Sequence, residues 1–254
     1  MEFWSDATFN LPLLHHSNFP RFQYSMIHYI LTDIEGTTTD IAFVQKVLFP
    51  YSYQKLPDFV RTNASEAAVA ECIKEAEQTL NTENQLHTNL EQVIEALLFW
   101  IKEDRKHPAL KKLQGMIWRE GYETKGFKGH VYPDVLPQLE NWRAQDIGIG
   151  IYSSGSVEAQ KLLFGYSEYG DLNHLFDHNF DTRVGHKRET ESYQNIAKAL
   201  NLNSEQILFL SDIEAELDAA QEAGMQTIQL VREGTTASER HKTASDFSEI
   251  KIKD

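Results

Sequence analysis

Asp33 and Glu35 stand two residues apart, one residue beyond the apolar run Ile27 to Leu31, with Glu35 immediately before Gly36. The run is rich in β-branched and aromatic residues and reads as a buried strand, and Gly36 reads as a sharp turn. In an extended chain, side chains two positions apart point the same way. Both carboxyls therefore face one small volume. A carboxylate at the tip of a buried strand needs a cation or hydrogen-bond donors to meet it, and the pair suits a nucleophile with a proton donor beside it. Taken alone, acid-x-acid beside a Gly turn is more often a solvated loop, so the elements around it must decide.

Two further polar clusters end apolar runs in the same manner. Ile147 to Tyr152 ends in Ser153-Ser154-Gly155-Ser156, and Ile207 to Leu210 ends in Ser211-Asp212. Helical patterns alternate with these runs. Pro133-Asp134 opens a helix carrying Val135, Leu136, Leu139 and Trp142; a second holds Leu162 and Leu163; a third holds Tyr193, Ile196, Ala197 and Leu200. A fourth runs from Glu214 to Glu222 with Gly224 at its C-terminal cap, and Thr227 to Val231 reads as the last strand. Short apolar strands alternating with helices predict a doubly wound α/β fold, a parallel sheet covered on both faces. In such sheets ligands gather beyond the C-terminal strand ends, where Asp33, Ser153 and Asp212 all fall.

The alternation is interrupted once. Residues from about 45 to 130 read as helical throughout: Ser65 to Leu80 is Ala- and Glu-rich, Leu90 to Ile101 repeats apolar residues at helical spacing, and Ala109 to Trp118 follows. The Gly-rich stretch Gly121 to Gly129 then breaks the pattern. The expected organisation is an extension over 1–25, disordered; a core formed by 26–45 and 130–254; and a helical cap, 46–129, inserted after the first strand. The extension carries His15-His16 and lacks the basic start and continuous apolar stretch of a signal peptide. A start at Met26 is compatible with it.

The 254 residues carry a formal net charge of −14, with 41 % hydrophobic and 24 % charged residues, an ordinary balance for a soluble domain. That charge argues against nucleic acid and anionic membranes as partners, so an anionic substrate needs a local source of positive charge. Cys72 is the one cysteine, which excludes an intrachain disulfide and fits a reducing compartment. No apolar run approaches the about 18 residues that suggest a membrane span.

The stretch Asp33-Ile34-Glu35-Gly36-Thr37-Thr38-Thr39-Asp40 resembles the D-x-D-G-T-x-x-D motif of the haloacid dehalogenase superfamily of aspartate-nucleophile phosphatases, with Glu35 in place of the second Asp. This variant, with Tyr-Ser-Ser-Gly-Ser at 152–156, Gly-His-Lys at 185–187 and Leu-Ser-Asp-Ile at 210–213, is similar to one family, the enolase-phosphatases of methionine salvage, or acireductone synthases. The resemblance runs from Met26 to about Arg232. It implies a phosphoric monoester hydrolase that enolises a diketo methylthiopentyl phosphate and then removes the phosphate, giving acireductone. It also implies catalytic roles for Asp33 and Glu35 and one Mg²⁺ per subunit, held by Asp33, Asp212 and the backbone carbonyl of Glu35. Phosphate binding falls to Ser153, Ser154 and Lys187. A cytoplasmic monomer is expected, with nuclear residence also compatible in a eukaryote.

Blander roles stand beside these. Asp212 fits an N-cap of the next helix, Ser153 and Ser154 fit turn residues, and most lysines, including Lys125, Lys128 and Lys187, are ordinarily exposed. Glu216 fits either a hydrogen bond behind the site or a solvated helix face. Asp40 fits a turn, and His186, Trp118 and Tyr122 fit packing. Two other functions are open to the same residues: a plain phosphatase or phosphomutase on this scaffold, and a receiver-like phosphoacceptor. Receivers carry no helical insertion after the acceptor strand.

Overall fold

Strand β1 is Tyr29–Thr32, shifted slightly from the apolar run that suggests it, because the ladder begins only where its neighbours can pair. A computed structural model describes residues 26–84 and 88–252; the expected extension over 1–25 lies outside them. After β1 come a short helix α1 (Ile41–Phe43), a π-helical turn (Val44–Leu48), α2 (Phe49–Asn63), α3 (Ala67–Asn84), α4 (Leu90–Lys102) and α5 (Pro108–Glu123). Then α6 (Val135–Arg143), β2 (Gly148–Tyr152), α7 (Val157–Gly165), β3 (His178–Phe180), α8 (Thr190–Leu200), β4 (Ile207–Ser211), α9 (Glu214–Glu222), β5 (Gln226–Leu230) and β6 (Lys242–Ala244) alternate to the end.

Among the described residues the sheet has six strands, all parallel, in the order β3-β2-β1-β4-β5-β6. The direction of winding reverses between β1 and β4. Side chains alternate across it, as strand geometry requires. Ile30, Ile149, Ile151, Leu208 and Leu210 pack on one face with Leu139 and Trp142 of α6 and Leu162 of α7. Tyr29, Leu31, Tyr152 and Phe209 pack on the other with Tyr193 and Ile196 of α8 and Leu217 of α9. Burial on both faces is what a doubly wound α/β sheet demands.

The helices between β1 and β2 bury a separate cluster, in which Leu56, Val60, Val69, Leu97, Leu110 and Leu113 meet. Helix α4 starts on a capping box: Asn89 N–H donates to Gln92 Oε1 at 2.9 Å and Gln92 N–H to Asn89 Oδ1 at 3.0 Å. Helix α5 continues to Glu123, past the break expected at Gly121. Glycine is required there by close packing, since a Cβ would strike the rings of Phe127 and Tyr51. The reading of Thr227 to Val231 as the last strand is also corrected, because β6 pairs beyond β5 at the sheet edge. Three residues are too few to carry a periodicity. No helix among the described residues is long and apolar enough to cross a membrane.

Arg232, just after β5, ties the C-terminal part of the sheet to the turn after β1. Its guanidinium donates to both Asp134 carboxylate oxygens, at 3.0 and 2.7 Å, and to the Thr37 carbonyl at 3.1 and 3.3 Å. The pair is largely buried, with side-chain exposures of 8 % and 16 %. Removing one partner of such a pair strands the other. Arg232→Met is therefore expected to cost about 3–5 kcal/mol of folding stability, measured by urea denaturation; a loss under about 1 kcal/mol would contradict the buried pairing.

Candidate active site

The C-terminal ends of β1 and β4 lie side by side at the reversal of winding, and the Asp33 N–H donates to the Leu210 carbonyl at 2.9 Å. Beyond that bond the chain turns back at once. The N–H groups of Thr37, Thr38 and Thr39 all donate to the Ile34 carbonyl, and Gly36 N–H donates to Thr39 O. Gly36 adopts φ +73°, and a Cβ there would collide with the carboxylate of Asp212. Glycine is thus required by backbone angle and by space together. Thr37 Oγ1 accepts from the Asp212 N–H at 3.1 Å, which fixes the second strand end against the first turn.

Asp33 is 2 % exposed and Lys187 6 %. The Lys187 ammonium lies 2.6 Å from Asp33 Oδ1 and 2.6 Å from Glu216 Oε2. Lys187 arrives from the segment between β3 and α8, which is held by hydroxyls: Tyr193 donates to the Lys187 carbonyl at 2.7 Å, Tyr152 to the Gly185 carbonyl at 3.0 Å, and Ser192 to the His186 carbonyl at 2.7 Å. Burial alone would lower the ammonium's pKa; Asp33 and Glu216 override it and leave the group above its ordinary value. Glu216 also accepts from Ser211 Oγ at 3.0 Å, so it faces the site rather than a solvated helix surface.

The carboxylates outnumber the cation. Burial, and then the Asp33 carboxylate beside it, push Asp212 up to about 7. The same two causes, in that order, raise Glu35 and Glu216. Asp212 Oδ1 is buried with no hydrogen-bond partner, and Asp33 Oδ1 has the Lys187 ammonium but no donor in hydrogen-bonding geometry. Asp212 does not cap α9; the cap position is Ile213 and it makes no side-chain bond. A buried carboxylate, Asp33, beside the half-buried Asp212, whose Oδ1 has no partner, forms a place for a positive ion. Among the described residues no cluster of three or more His, Cys, Asp and Glu side chains makes a ready cage. A small hard cation such as Mg²⁺ does not need one, since it binds through one or two carboxylates and keeps waters or phosphate oxygens.

Ser153 is 1 % exposed and its Oγ accepts from Gly155 N–H at 3.0 Å, beneath the N-terminus of α7, which Ser156 caps. Backbone N–H groups at such an end favour an anion. A cavity extends from Glu35, Ser153 and Ser154 to a wall from the helices between β1 and β2, including Leu48, Phe49, Trp100, Leu110 and Lys111.

Of the sequence candidates, Asp33, Lys187 and Asp212 converge at the strand ends, and Glu35, Ser153 and Ser154 line the cavity. Lys125 and Lys128 are exposed and line no part of it. Asp40 caps α1, accepting from Ala42 N–H at 2.8 Å. Trp118 and Tyr122 are buried, whereas His186 is exposed and corrects the expectation of packing there. Lys111 and Arg232 escaped sequence reading. Their only signal is a cation on a helix or after a strand, indistinguishable in the chain from a surface residue.

The family model of haloacid dehalogenase-like hydrolases matches residues 27–224. Proteins called enolase-phosphatase E1, from Picosynechococcus sp. and Pectobacterium carotovorum, are each 52 % identical, covering 89 % of this chain and 98 % of theirs. A crystal structure of the UTR4 protein from Saccharomyces cerevisiae superposes with a TM-score of 0.71 at 35 % identity, over 88 % of this chain and 100 % of that one. With the sheet order, the strand-end carboxylates and these likenesses together, the chain belongs to the haloacid dehalogenase-like hydrolases and, within them, to the enolase-phosphatase family.

Proposed function

We propose that this protein enolises a diketo methylthiopentyl phosphate and then hydrolyses the phosphoester, yielding acireductone and phosphate in methionine salvage. What supports the reading most is the convergence of Asp33, Asp212 and Lys187 at the reversal of winding, with Glu35 and two serines opening onto a largely apolar cavity.

Glu35 takes the proton from the carbon that bears the phosphoester. The C–H electron pair becomes the enol double bond, the carbonyl π pair moves to its oxygen, and that oxygen takes a proton from a second acid, so Glu35 keeps the proton it removed. Asp33 then attacks phosphorus, forming a phosphoaspartate as the bond to the enol oxygen breaks. Glu35 returns its proton to that leaving oxygen. Water attacks the phosphoaspartate, its proton passes to a nearby base, and phosphate departs with Asp33 restored. Ser153 and Ser154 hold the phosphate oxygens, and Lys187 moves from the carboxylate pair toward the phosphoryl group to balance its charge. Asp33, Asp212 and the Glu35 carbonyl would hold Mg²⁺, which would supply the neutralisation that lets a carboxylate approach a phosphate dianion. The helices over residues 46–129 act as a cap that excludes water and receives the thioether tail. The same reading makes the protein a cytoplasmic monomer.

A non-hydrolysable phosphonate analogue of the diketone, incubated in deuterated buffer with Mg²⁺, separates this from a plain phosphatase or phosphomutase. Exchange of the hydrogen on the carbon between the phosphonate arm and the carbonyl is expected, followed by NMR. Absence of exchange, with turnover of ordinary sugar phosphates, would favour the simpler enzyme.

A further inference from the structure

Three cations from the segment between β1 and β2 line the cavity: Arg105 and Lys106 in the loop joining α4 to α5, and Lys111 on α5. Two already have carboxylate partners. Arg105 makes a two-point contact with Glu83, at 2.6 and 3.2 Å, and Lys106 pairs with Asp104 at 2.5 Å. Below them, Lys187 is held between Asp33 and Glu216. Lys111 differs. Its ammonium donates to the Ser154 carbonyl at 2.9 Å, and among the described residues no carboxylate lies within ion-pair distance of it. An ammonium has three donors and no acceptor, so a contact with one neutral carbonyl leaves two N–H groups and a full charge for whatever enters the cavity.

The position of that charge narrows its use. One end of the cavity is polar, at Ser153, Ser154 and the start of α7; Leu48, Phe49, Trp100 and Leu110 form an apolar stretch of the wall, with Asp104, Arg105 and Lys106 beside it. A substrate with phosphate at one terminus and a thioether at the other is oriented by this polarity, and its two carbonyls fall between. Lys111 sits where the phosphate loop meets the wall, one turn into α5. The carbonyl nearest the phosphoester is the one whose oxygen becomes negative when the adjacent carbon loses its proton.

We propose that Lys111 is a further catalytic residue, an oxyanion donor from the helical wall that stabilises the enolate oxygen during enolisation. This rests on the enolase reading given above. The electron pair released from the C–H bond forms the carbon–carbon double bond, the carbonyl π pair moves to oxygen, and the removed proton resides on Glu35. Lys111 donates a hydrogen bond to the resulting oxyanion and passes it a proton, giving the enol; solvent reprotonates the amine. Burial, and after it the nearby Lys106, lower the Lys111 ammonium below its ordinary range, which favours donation. The bond to Ser154 preorganises the group, so little reorganisation accompanies the charge.

Lys111→Met and Lys111→Arg in the full-length, Mg²⁺-loaded protein provide the test, with two rates measured on each. The first is solvent deuterium exchange into the phosphonate analogue. The second is hydrolysis of an aryl phosphate, which requires no enolisation. Lys111→Met is expected to slow exchange by about 100-fold or more, so that the ratio of exchange to hydrolysis falls at least about tenfold, and Lys111→Arg should recover part of the exchange. A proportional fall of both rates would assign Lys111 to phosphate binding or to structure and overturn the proposal, as would unaltered exchange. Wild-type protein that exchanges nothing would overturn the enolase reading itself, and this proposal with it.

Discussion

Asp33→Asn is expected to lower phosphate release at least about 10⁴-fold, the scale on which removal of a covalent nucleophile acts, while leaving the fold intact. An amide has nearly the shape of a carboxylate but not its nucleophilicity, so the bond to phosphorus cannot form. The fold tolerates the change for an electrostatic reason. Asp33 is buried among Glu35, Asp212 and Glu216; burial raises the pKa of all three, and the Asp33 charge raises them further. A neutral amide at position 33 relieves that crowding. Lys187 keeps its contact with Glu216 at 2.6 Å, and an amide oxygen still accepts from it. The check is steady-state hydrolysis beside a thermal melt, with acid-quenched protein assayed for covalent phosphate. Comparable turnover in the variant would remove Asp33 as nucleophile. Inactivity with a collapsed melting temperature would instead mark a structural role.

Asp212→Asn is expected to weaken Mg²⁺ binding by more than about 100-fold. Loss of a residue that merely orients a ligand costs about 10- to 100-fold, and a direct carboxylate should exceed it. Activity at a fixed, modest Mg²⁺ concentration would fall accordingly and recover in part as metal is added. Melting gives a readout independent of turnover. Wild-type protein at 100 times its Mg²⁺ dissociation constant gains about 2.7 kcal/mol of stability, and the variant should show little gain at that concentration. Without metal, the order should reverse. Asp212 has an oxygen with no partner and faces Asp33, so a neutral side chain removes repulsion and the metal-free variant should melt no lower than metal-free wild type. An unchanged metal titration would contradict the assignment of Asp212 as ligand.

The architecture was readable along the chain because its signals are local. Apolar runs such as Ile147 to Tyr152 and Ile207 to Leu210 are continuous, since a parallel sheet is buried on both faces, and each helix between them has a face of its own. Where reading along the chain erred, a contact from elsewhere intervened. Gly121 looks like a helix breaker until Phe127 and Tyr51 close on it, and β6 is a strand only because β5 offers it an edge. The candidate residues were nameable for a related reason: strand-end placement put Asp33, Ser153 and Asp212 on one side of any doubly wound sheet.

Composition and periodicity along the chain determined a parallel α/β layout with a helical insertion and the side of the sheet where polar chemistry gathers; the motifs at 33–40, 152–156, 185–187 and 210–213 carried the family resemblance. Only the tertiary structure decided that Lys187 lies between Asp33 and Glu216, that Gly36 makes room for the carboxylate of Asp212, that Arg232 anchors the first turn, and that Lys111 reaches Ser154 with no carboxylate paired to it among the described residues. The reason is the range of the forces. Burial patterns act between residues a few positions apart and leave a period in the sequence, whereas an ion pair or a close contact between residues far apart in the chain leaves none until folding closes the loop between them.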